Sequence, residues 1–213
     1  MGRLTAADLD AVTIDAFGTL VTLRDPVDAL EQALRDRGVE RTREQIAAAF
    51  AEEGRYYRDR SHDGADEASL ALLRRDCAGI FLRALDVDLD PAEFAPAYVA
   101  TLEFEPMPGA AEAVAALTRL GLRLAVVSNW DVALHGYLEH LGLAGRFEAV
   151  LTSAEAGAPK PDPRIFRLAL ERLGVMPERA LHVGDSEADE EGARAAGMAF
   201  APAPLADVPA RLA

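Results

Sequence analysis

Cysteine and long apolar runs are both scarce in this chain of 213 residues. The single cysteine, Cys77, excludes any disulfide within the chain. This fits a reducing compartment, and we expect a cytoplasmic protein in which Cys77 is a packed helical residue. No stretch of about 18 uncharged apolar residues is present, so we expect no membrane span. The segment MGRLTAADLD lacks an apolar run, which argues against a secretory signal.

Basic residues are few: 22 lysines and arginines stand against 36 acidic residues, for a formal net charge of −14. A surface of this sign repels nucleic acid and anionic lipid, so we expect neither as a partner. We expect a small-molecule substrate and a monomer or homodimer. Because an anionic substrate is also repelled at long range, any phosphate site must be locally positive.

Lysine is the scarcest basic residue, since Lys160 stands alone among 21 arginines. An ammonium is a compact point charge with three donors, and a guanidinium does not replace it in a tight site. The single exception is therefore either chance or a sign that position 160 requires an ammonium.

Strands alternate with helices over most of the chain. Residues 11–17 read as a short buried strand that ends at the turn Gly18-Thr19. Further strands are predicted at 123–129, 147–153, 180–186 and about 198–202, with helices of 8–13 residues between them. This order is typical of βαβ units, so we expect an α/β fold with a Rossmann-like, doubly wound parallel sheet.

A purely helical region interrupts this alternation. Its predicted helices lie at 25–38, 43–60, 68–85 and 90–102, the first with Asp25 as N-cap. We therefore expect an inserted α-helical domain at 21–101. The α/β domain would consist of residues 1–20 and 102–213.

Polar residues follow several of the predicted strands. Ligands of open α/β sheets bind beyond the carboxyl ends of the strands, so these positions indicate the site. The residues concerned are Asp15, Ser128, Asn129, Asp185, Asp189 and, in the segment after the strand at 147–153, Lys160. Two plainer interpretations remain open: Asp189 as the N-cap of the next helix, and His182 as a core residue.

Four of these segments resemble the motifs of the haloacid dehalogenase (HAD) superfamily. They are IDAFGTL (14–20), VVSNW (126–130), APKPD (158–162) and HVGDSEAD (182–189), in the family's order. The helical insertion resembles the family's cap domain. The resemblance spans essentially the whole chain and implies a hydrolase, without indicating the substrate.

The resemblance also implies roles for the matching residues. Asp15 would be the nucleophile that forms a covalent aspartyl intermediate. Ser128 and Lys160 would complete the catalytic set, and Thr19 and Asn129 would bind substrate. Mg²⁺ would be held by the Asp15 carboxylate, the Phe17 backbone carbonyl and Asp185. Asp189 would hold the metal-bound waters or orient Lys160.

The first motif departs from the pattern of the family's phosphatases, which carry a second Asp two residues after the nucleophile. Phe17 occupies that position and cannot transfer protons. The family's dehalogenases likewise carry an aromatic residue there. Gly184-Asp185-Ser186 instead resembles the metal-binding form of the phosphatases. We expect a Mg²⁺-dependent phosphatase that hydrolyses a small-molecule phosphoester through an aspartyl-phosphate on Asp15. The alternatives are a metal-independent 2-haloacid dehalogenase and a catalytically weak binding protein.

Overall fold

A computed structural model describes residues 4–213 of the chain. The chain divides into two compact units. One unit runs up to Thr22 and resumes at Glu105–Ala213, and the other is Leu23–Phe104. Among the described residues, no helix is long and apolar enough to cross a membrane.

The strands of the described chain fall into two sheets. A five-stranded parallel sheet has the order β5-β4-β1-β6-β7, and β2 pairs with β3 where the chain passes from one unit to the other. The strands are β1 (Ala11–Ile14), β2 (Val21–Leu23), β3 (Phe104–Pro106), β4 (Arg123–Ser128), β5 (Ala149–Thr152), β6 (Ala180–Gly184) and β7 (Ala199–Pro202).

The helices divide between the two units. Those of the helical unit are α1 (Val27–Arg35), α2 (Arg43–Arg60), α3 (Glu67–Ala84) and α4 (Pro91–Ala100). Those of the α/β unit are α5 (Ala110–Arg119), α6 (Leu134–His140), α7 (Ser153–Ala156), α8 (Pro163–Leu173), α9 (Glu187–Ala195) and α10 (Val208–Leu212).

Both faces of the parallel sheet are buried, which is why its strands read as nearly continuous apolar runs. On one face, side chains such as Ala11 and Val127 pack against Ile165 and Phe166 of α8 and Ala193 of α9. The alternate residues of the same strands face the opposite side and are equally buried; these are Val12, Ile14, Val126 and Val183. The predicted doubly wound α/β fold is therefore confirmed.

The helical unit has a separate apolar core. Its largest members, Phe81, Phe94 and Tyr98, lie with ring centroids 5.1–6.3 Å apart. Cys77 is buried in this core, as the helical pattern predicts.

Several element boundaries differ from those predicted from the sequence. The first strand ends at Ile14 rather than at 17, because the chain turns at Ala16, whose carbonyl accepts from the N–H groups of Leu20 and Val21. The prediction that Asp25 is the N-cap of the first helix is wrong: Pro26 occupies that position, although Asp25 accepts from the N–H of Val27. The short strands β2 and β3 were not predicted, because three-residue strands carry too little periodicity.

Candidate active site

Asp15 follows the central strand β1 directly and lies at the carboxyl edge of the sheet. Its N–H donates to the carbonyl of Val183 on β6, 2.9 Å away, so the sheet pairing continues into this residue. Ser128, the last residue of β4, donates from its hydroxyl to Asp15 Oδ1 over 3.0 Å. Both side chains are almost fully buried. The strand ends thus bring a carboxylate and a hydroxyl together across neighbouring strands.

The loop after Asp15 is tightly turned. Gly18 has φ +82°, a conformation that favours glycine, and its N–H donates to the carbonyl of Val21. A side chain at position 18 would collide with the carboxylate of Asp185, so the glycine lets the loop approach that residue closely. The bridge between Phe17 and Val21 uses the Ala16 carbonyl and the Gly18 N–H, and therefore not the Phe17 carbonyl.

Lys160 joins two carboxylates in the interior of this unit. Its Nζ lies 2.5 Å from Asp15 Oδ1 and 2.5 Å from Asp189 Oδ1. Burial alone would lower the pKa of Lys160, but the charges of Asp15 and Asp189 outweigh it and raise that pKa. Burial also raises the pKa of Asp15 above its usual range, and the charge of Lys160 opposes this shift. The ammonium is therefore a permanent charge that compensates the two acids.

Asn129 holds the backbone of Lys160. Its Nδ2 donates to the Lys160 carbonyl over 3.0 Å, and its Oδ1 accepts from the Lys160 N–H over 2.7 Å. The amide side chain assigned to the substrate by sequence is thus engaged on both of its polar atoms. Its contact with a substrate stays a prediction.

A buried imidazole lies behind Asp189. His182 Nε2 is 3.0 Å from Asp189 Oδ1, and its Nδ1 is 2.8 Å from the hydroxyl of Thr13. Burial would raise the pKa of Asp189, but the hydrogen bond from His182 and the charge of Lys160 hold it well below its usual range. An ionised carboxylate only accepts, so His182 carries its proton on Nε2 and its Nδ1 accepts from Thr13. Burial also lowers the pKa of His182, which favours the neutral imidazole.

Asp189 is not the N-cap of α9. Ser186 is the N-cap, and its side chain accepts from the N–H of Asp189. Asp189 stands three residues later and accepts from the Ser186 N–H and hydroxyl on Oδ2, which completes a capping box. Because Oδ1 contacts Lys160 and His182, both carboxylate oxygens of Asp189 are engaged within the protein.

Asp185 completes an acidic cluster with Asp15 and Asp189. One carboxylate oxygen from each lies within 4.8 Å of the others. Burial, reinforced by the charge of Asp189, raises the pKa of Asp185. Hard oxygen donors at this spacing can hold a divalent cation such as Mg²⁺.

Two further side chains of the first motif have contrasting environments. Phe17 is 51% exposed and meets Trp130 edge to face, with ring centroids 6.3 Å apart. Trp130 itself is buried and also packs on Tyr137. Thr19 is buried, and among the described residues its hydroxyl has no hydrogen-bond partner. Its predicted contact with substrate stays a prediction.

The residues around Asp15 were predicted from the sequence, but the polar contacts behind them were not. His182 is buried, as the core interpretation holds, yet it and Thr13 form a polar pair within the sheet. The signal was present: Thr13 and His182 are polar residues in the apolar segments AVTI and ALHV. They are also direct partners in the β1–β6 register.

Comparison with known proteins points to one family. A family model described as haloacid dehalogenase-like hydrolase matches residues 9–197. The haloacid dehalogenase-like hydrolase domain-containing protein 3 of Mus musculus is 49% identical over 45% of this chain and 38% of its own length. The phosphoserine phosphatase of Thermus thermophilus is 44% identical over 50% of this chain and 44% of its own length. The matched segments thus span less than half of either curated relative.

A solved structure matches over more of the chain. The L-2-haloacid dehalogenase from Xanthobacter autotrophicus has a TM-score of 0.67 and 30% identity, and the match covers 91% of this chain and 77% of that one. Proteins named as phosphatases and as dehalogenases are therefore both similar to this chain.

Proposed function

Because this chain belongs to the haloacid dehalogenase-like hydrolase family, we propose that it is a Mg²⁺-dependent phosphatase of a small-molecule phosphoester, with Asp15 as nucleophile. The observation that carries the proposal is the set of charged side chains at the carboxyl edge of the sheet. Three carboxylates, Asp15, Asp185 and Asp189, lie together beside the single ammonium of Lys160. Burial raises the pKa of Asp15 and Asp185, and a bound divalent cation would favour their ionised forms. With all three carboxylates ionised and His182 neutral, the cluster would have two negative charges in excess, which one divalent cation would neutralise.

The donor set fits magnesium. Asp189 uses both oxygens within the protein, so it is suited to an outer role in which it orients Lys160 and metal-bound water. The inner ligands would be the carboxylates of Asp15 and Asp185 and the backbone carbonyl of Phe17. Mg²⁺ prefers such oxygen ligands and retains several waters. When bound, it would offset the repulsion between Asp15 and a phosphate dianion and stabilise charge on the phosphoryl oxygens.

The residues of the chain then have distinct tasks. The Asp15 carboxylate attacks phosphorus and forms an aspartyl-phosphate, which water hydrolyses. Lys160 neutralises the nucleophile before attack and the transferring group afterwards. Ser128 donates to Asp15 Oδ1 and would donate to a phosphoryl oxygen once the nucleophile has reacted. Asn129 fixes the backbone from which Lys160 reaches the site.

A second candidate, a metal-independent 2-haloacid dehalogenase, is favoured by one observation. Phe17 cannot protonate a leaving oxygen, whereas halide departs without a proton. In that reaction Asp15 attacks carbon and forms an ester. The exposed ring of Phe17 and its neighbour Trp130 would then border an apolar substrate.

The two reactions are separated by assaying one preparation on two substrates. We expect phosphate release from p-nitrophenyl phosphate that requires Mg²⁺, stops in EDTA and is absent from Asp15→Asn. Acid quenching during turnover should leave a phosphoryl group on Asp15, detectable by mass spectrometry. Chloride release from 2-chloropropionate that EDTA does not affect would overturn the phosphatase proposal in favour of the dehalogenase.

We further propose that the protein acts on its small molecule in the cytoplasm. The support is compositional: a lone buried cysteine and an acidic surface that disfavours nucleic acid and anionic lipid.

A further inference from the structure

The side chain two residues after the nucleophile is an exposed aromatic ring. Phe17 keeps 51% of its surface exposed although it is large and apolar, and it contacts Trp130 edge to face. Trp130 is buried and its ring centroid also lies 6.0 Å from that of Tyr137, so Phe17 contacts a packed aromatic side chain. Exposure of such a ring is unfavourable in water, and a flat apolar group resting on it would recover the lost free energy.

Among the described residues, the side chains that hydrogen-bond to Asp15 are those of Lys160 and Ser128, and neither is a free carboxylic acid or imidazole. Lys160 is held between two carboxylates, and the Ser128 hydroxyl donates to Asp15. Asp185 is close to Asp15, but the proposed function uses it as a metal ligand, which removes it as an acid. His182 is fully buried, and its two ring nitrogens are engaged by Asp189 and Thr13. None of these side chains is therefore available to protonate the departing oxygen.

From these two observations we infer that the natural substrate is a phosphate ester whose leaving group departs as a stabilised anion and presents a flat apolar face to Phe17, as an aryl or enol phosphate does. This inference rests on the proposed phosphatase function. It narrows the substrate from any phosphoester to those with weakly basic leaving oxygens, and so excludes ordinary sugar and alkyl phosphates.

The chemistry balances without an acid. An oxygen of Asp15 forms a bond to phosphorus while the bond between phosphorus and the leaving oxygen breaks, and its electron pair departs with the aryloxide. Water then attacks the same phosphorus, the bond to Asp15 breaks, and the carboxylate is restored. The proton lost by the water ends on the released phosphate. The products are one aryloxide and one dihydrogen phosphate, which exchange protons with solvent.

The test compares three phosphate esters that differ in ring and leaving group. p-Nitrophenyl phosphate has a ring and a weakly basic oxygen, phenyl phosphate a ring and a more basic one, and benzyl phosphate a ring but a strongly basic alkoxide. We expect kcat/KM of the wild type to fall steeply in that order, with benzyl phosphate at least about 10²-fold below p-nitrophenyl phosphate, the scale of missing general acid catalysis. A flat series would overturn the inference and leave the phosphatase function intact.

Two matched variants test whether position 17 is the cause. Phe17→Asp supplies a proton donor, and Phe17→Asn has the same shape without one. We expect Phe17→Asp to exceed Phe17→Asn on benzyl phosphate by about 10²-fold, while the two differ little on p-nitrophenyl phosphate. Equal rates on benzyl phosphate would overturn the inference. If the wild type releases no phosphate from any ester, the proposed function fails and the inference fails with it.

Discussion

The amide of Asn129 holds the backbone of Lys160 on both sides: its Nδ2 lies 3.0 Å from the Lys160 carbonyl and its Oδ1 2.7 Å from the Lys160 N–H. The two residues are 31 positions apart in the chain. Asn129 follows β4, the strand that ends in Ser128. One residue thus couples the strand end that carries the hydroxyl to the loop that carries the ammonium.

Loss of this amide should impair catalysis through Lys160. In Asn129→Ala the Lys160 backbone loses both partners, so the ammonium shifts relative to Asp15. Outer residues of this kind typically contribute 10–100-fold, so we expect kcat on p-nitrophenyl phosphate to fall by about that factor. Asn129→Asp keeps only the acceptor and should lose nearly as much. A kcat equal to wild type in both variants would contradict the positioning role, and a larger effect on KM would favour substrate binding by Asn129.

Lys160 should tolerate no substitution. Lys160→Arg places a broad planar cation where Nζ lies 2.5 Å from two carboxylates, and we expect at least about 10²-fold lower kcat together with a lower Tm. Lys160→Met leaves buried acids uncompensated, which costs about 3–5 kcal/mol when one partner of a buried pair is removed. Urea unfolding measures the second effect. Arg164→Met is the control, because it breaks an exposed ion pair with Asp162. Equal destabilisation by the two Met variants would contradict the compensation argument.

Much of this arrangement follows from reading the strand ends. The carboxyl ends of parallel strands share one edge of the sheet, so Asp15 and Ser128 were expected on the same edge although 113 positions separate them. The rarity of lysine pointed to Lys160 independently of any motif. The alternation of strands and helices was likewise sufficient for the α/β fold, because buried strands and amphipathic helices have distinct periods.

The contacts that support the residues around Asp15 were not predictable in this way. The partner of Asn129 is backbone, and a backbone partner leaves no trace in residue types. The pairing of Thr13 with His182 depends on the register of β1 and β6, which the sequence does not specify. The end of β1 at Ile14 depends on hydrogen bonds to the Ala16 carbonyl, which composition also does not reveal.

The buried contact between His182 and Asp189 should contribute to both stability and kcat. His182→Leu removes a donor from a buried carboxylate and leaves the Thr13 hydroxyl without its partner. We expect a loss of about 1–3 kcal/mol of unfolding free energy and a kcat about 10-fold lower. His182→Gln, which retains an N–H donor, should recover part of kcat. If Gln and Leu lower kcat equally while both fold, the hydrogen bond to Asp189 is not what matters.

Magnesium binding should be measurable without turnover. A ligand that binds only the folded state raises Tm in proportion to the logarithm of its concentration once above Kd. We expect Mg²⁺ to raise the Tm of the wild type and, by a smaller amount, the Tm of Asp15→Asn. We expect Mg²⁺ to leave the Tm of Asp185→Asn unchanged. Glu187→Gln removes the same charge from an exposed position beside the cluster and should respond like the wild type. An equal Mg²⁺ response in Asp185→Asn would remove Asp185 from the metal site.

The helical unit contains a buried carboxyl group, that of Glu53. Glu53 on α2 is only 6% exposed, and burial raises its pKa above the ordinary value of 4.5. The folded state therefore holds the Glu53 proton more tightly than the unfolded state does. As pH rises from about 4.5 through the folded pKa, stability falls, and the penalty persists at higher pH.

Glu53→Gln removes this titration. We expect the Tm of Glu53→Gln to exceed that of the wild type at neutral pH and the two to converge as the pH falls toward 5. Each kcal/mol corresponds to about 2–4 °C at this chain length. Glu52→Gln makes the same substitution at the adjacent exposed position and should give a Tm difference that changes little with pH. Parallel Tm curves for Glu53→Gln and wild type between pH 5 and pH 8 would mean that Glu53 is ionised in the folded protein. A cation or a hydrogen-bond donor would then stabilise its charge.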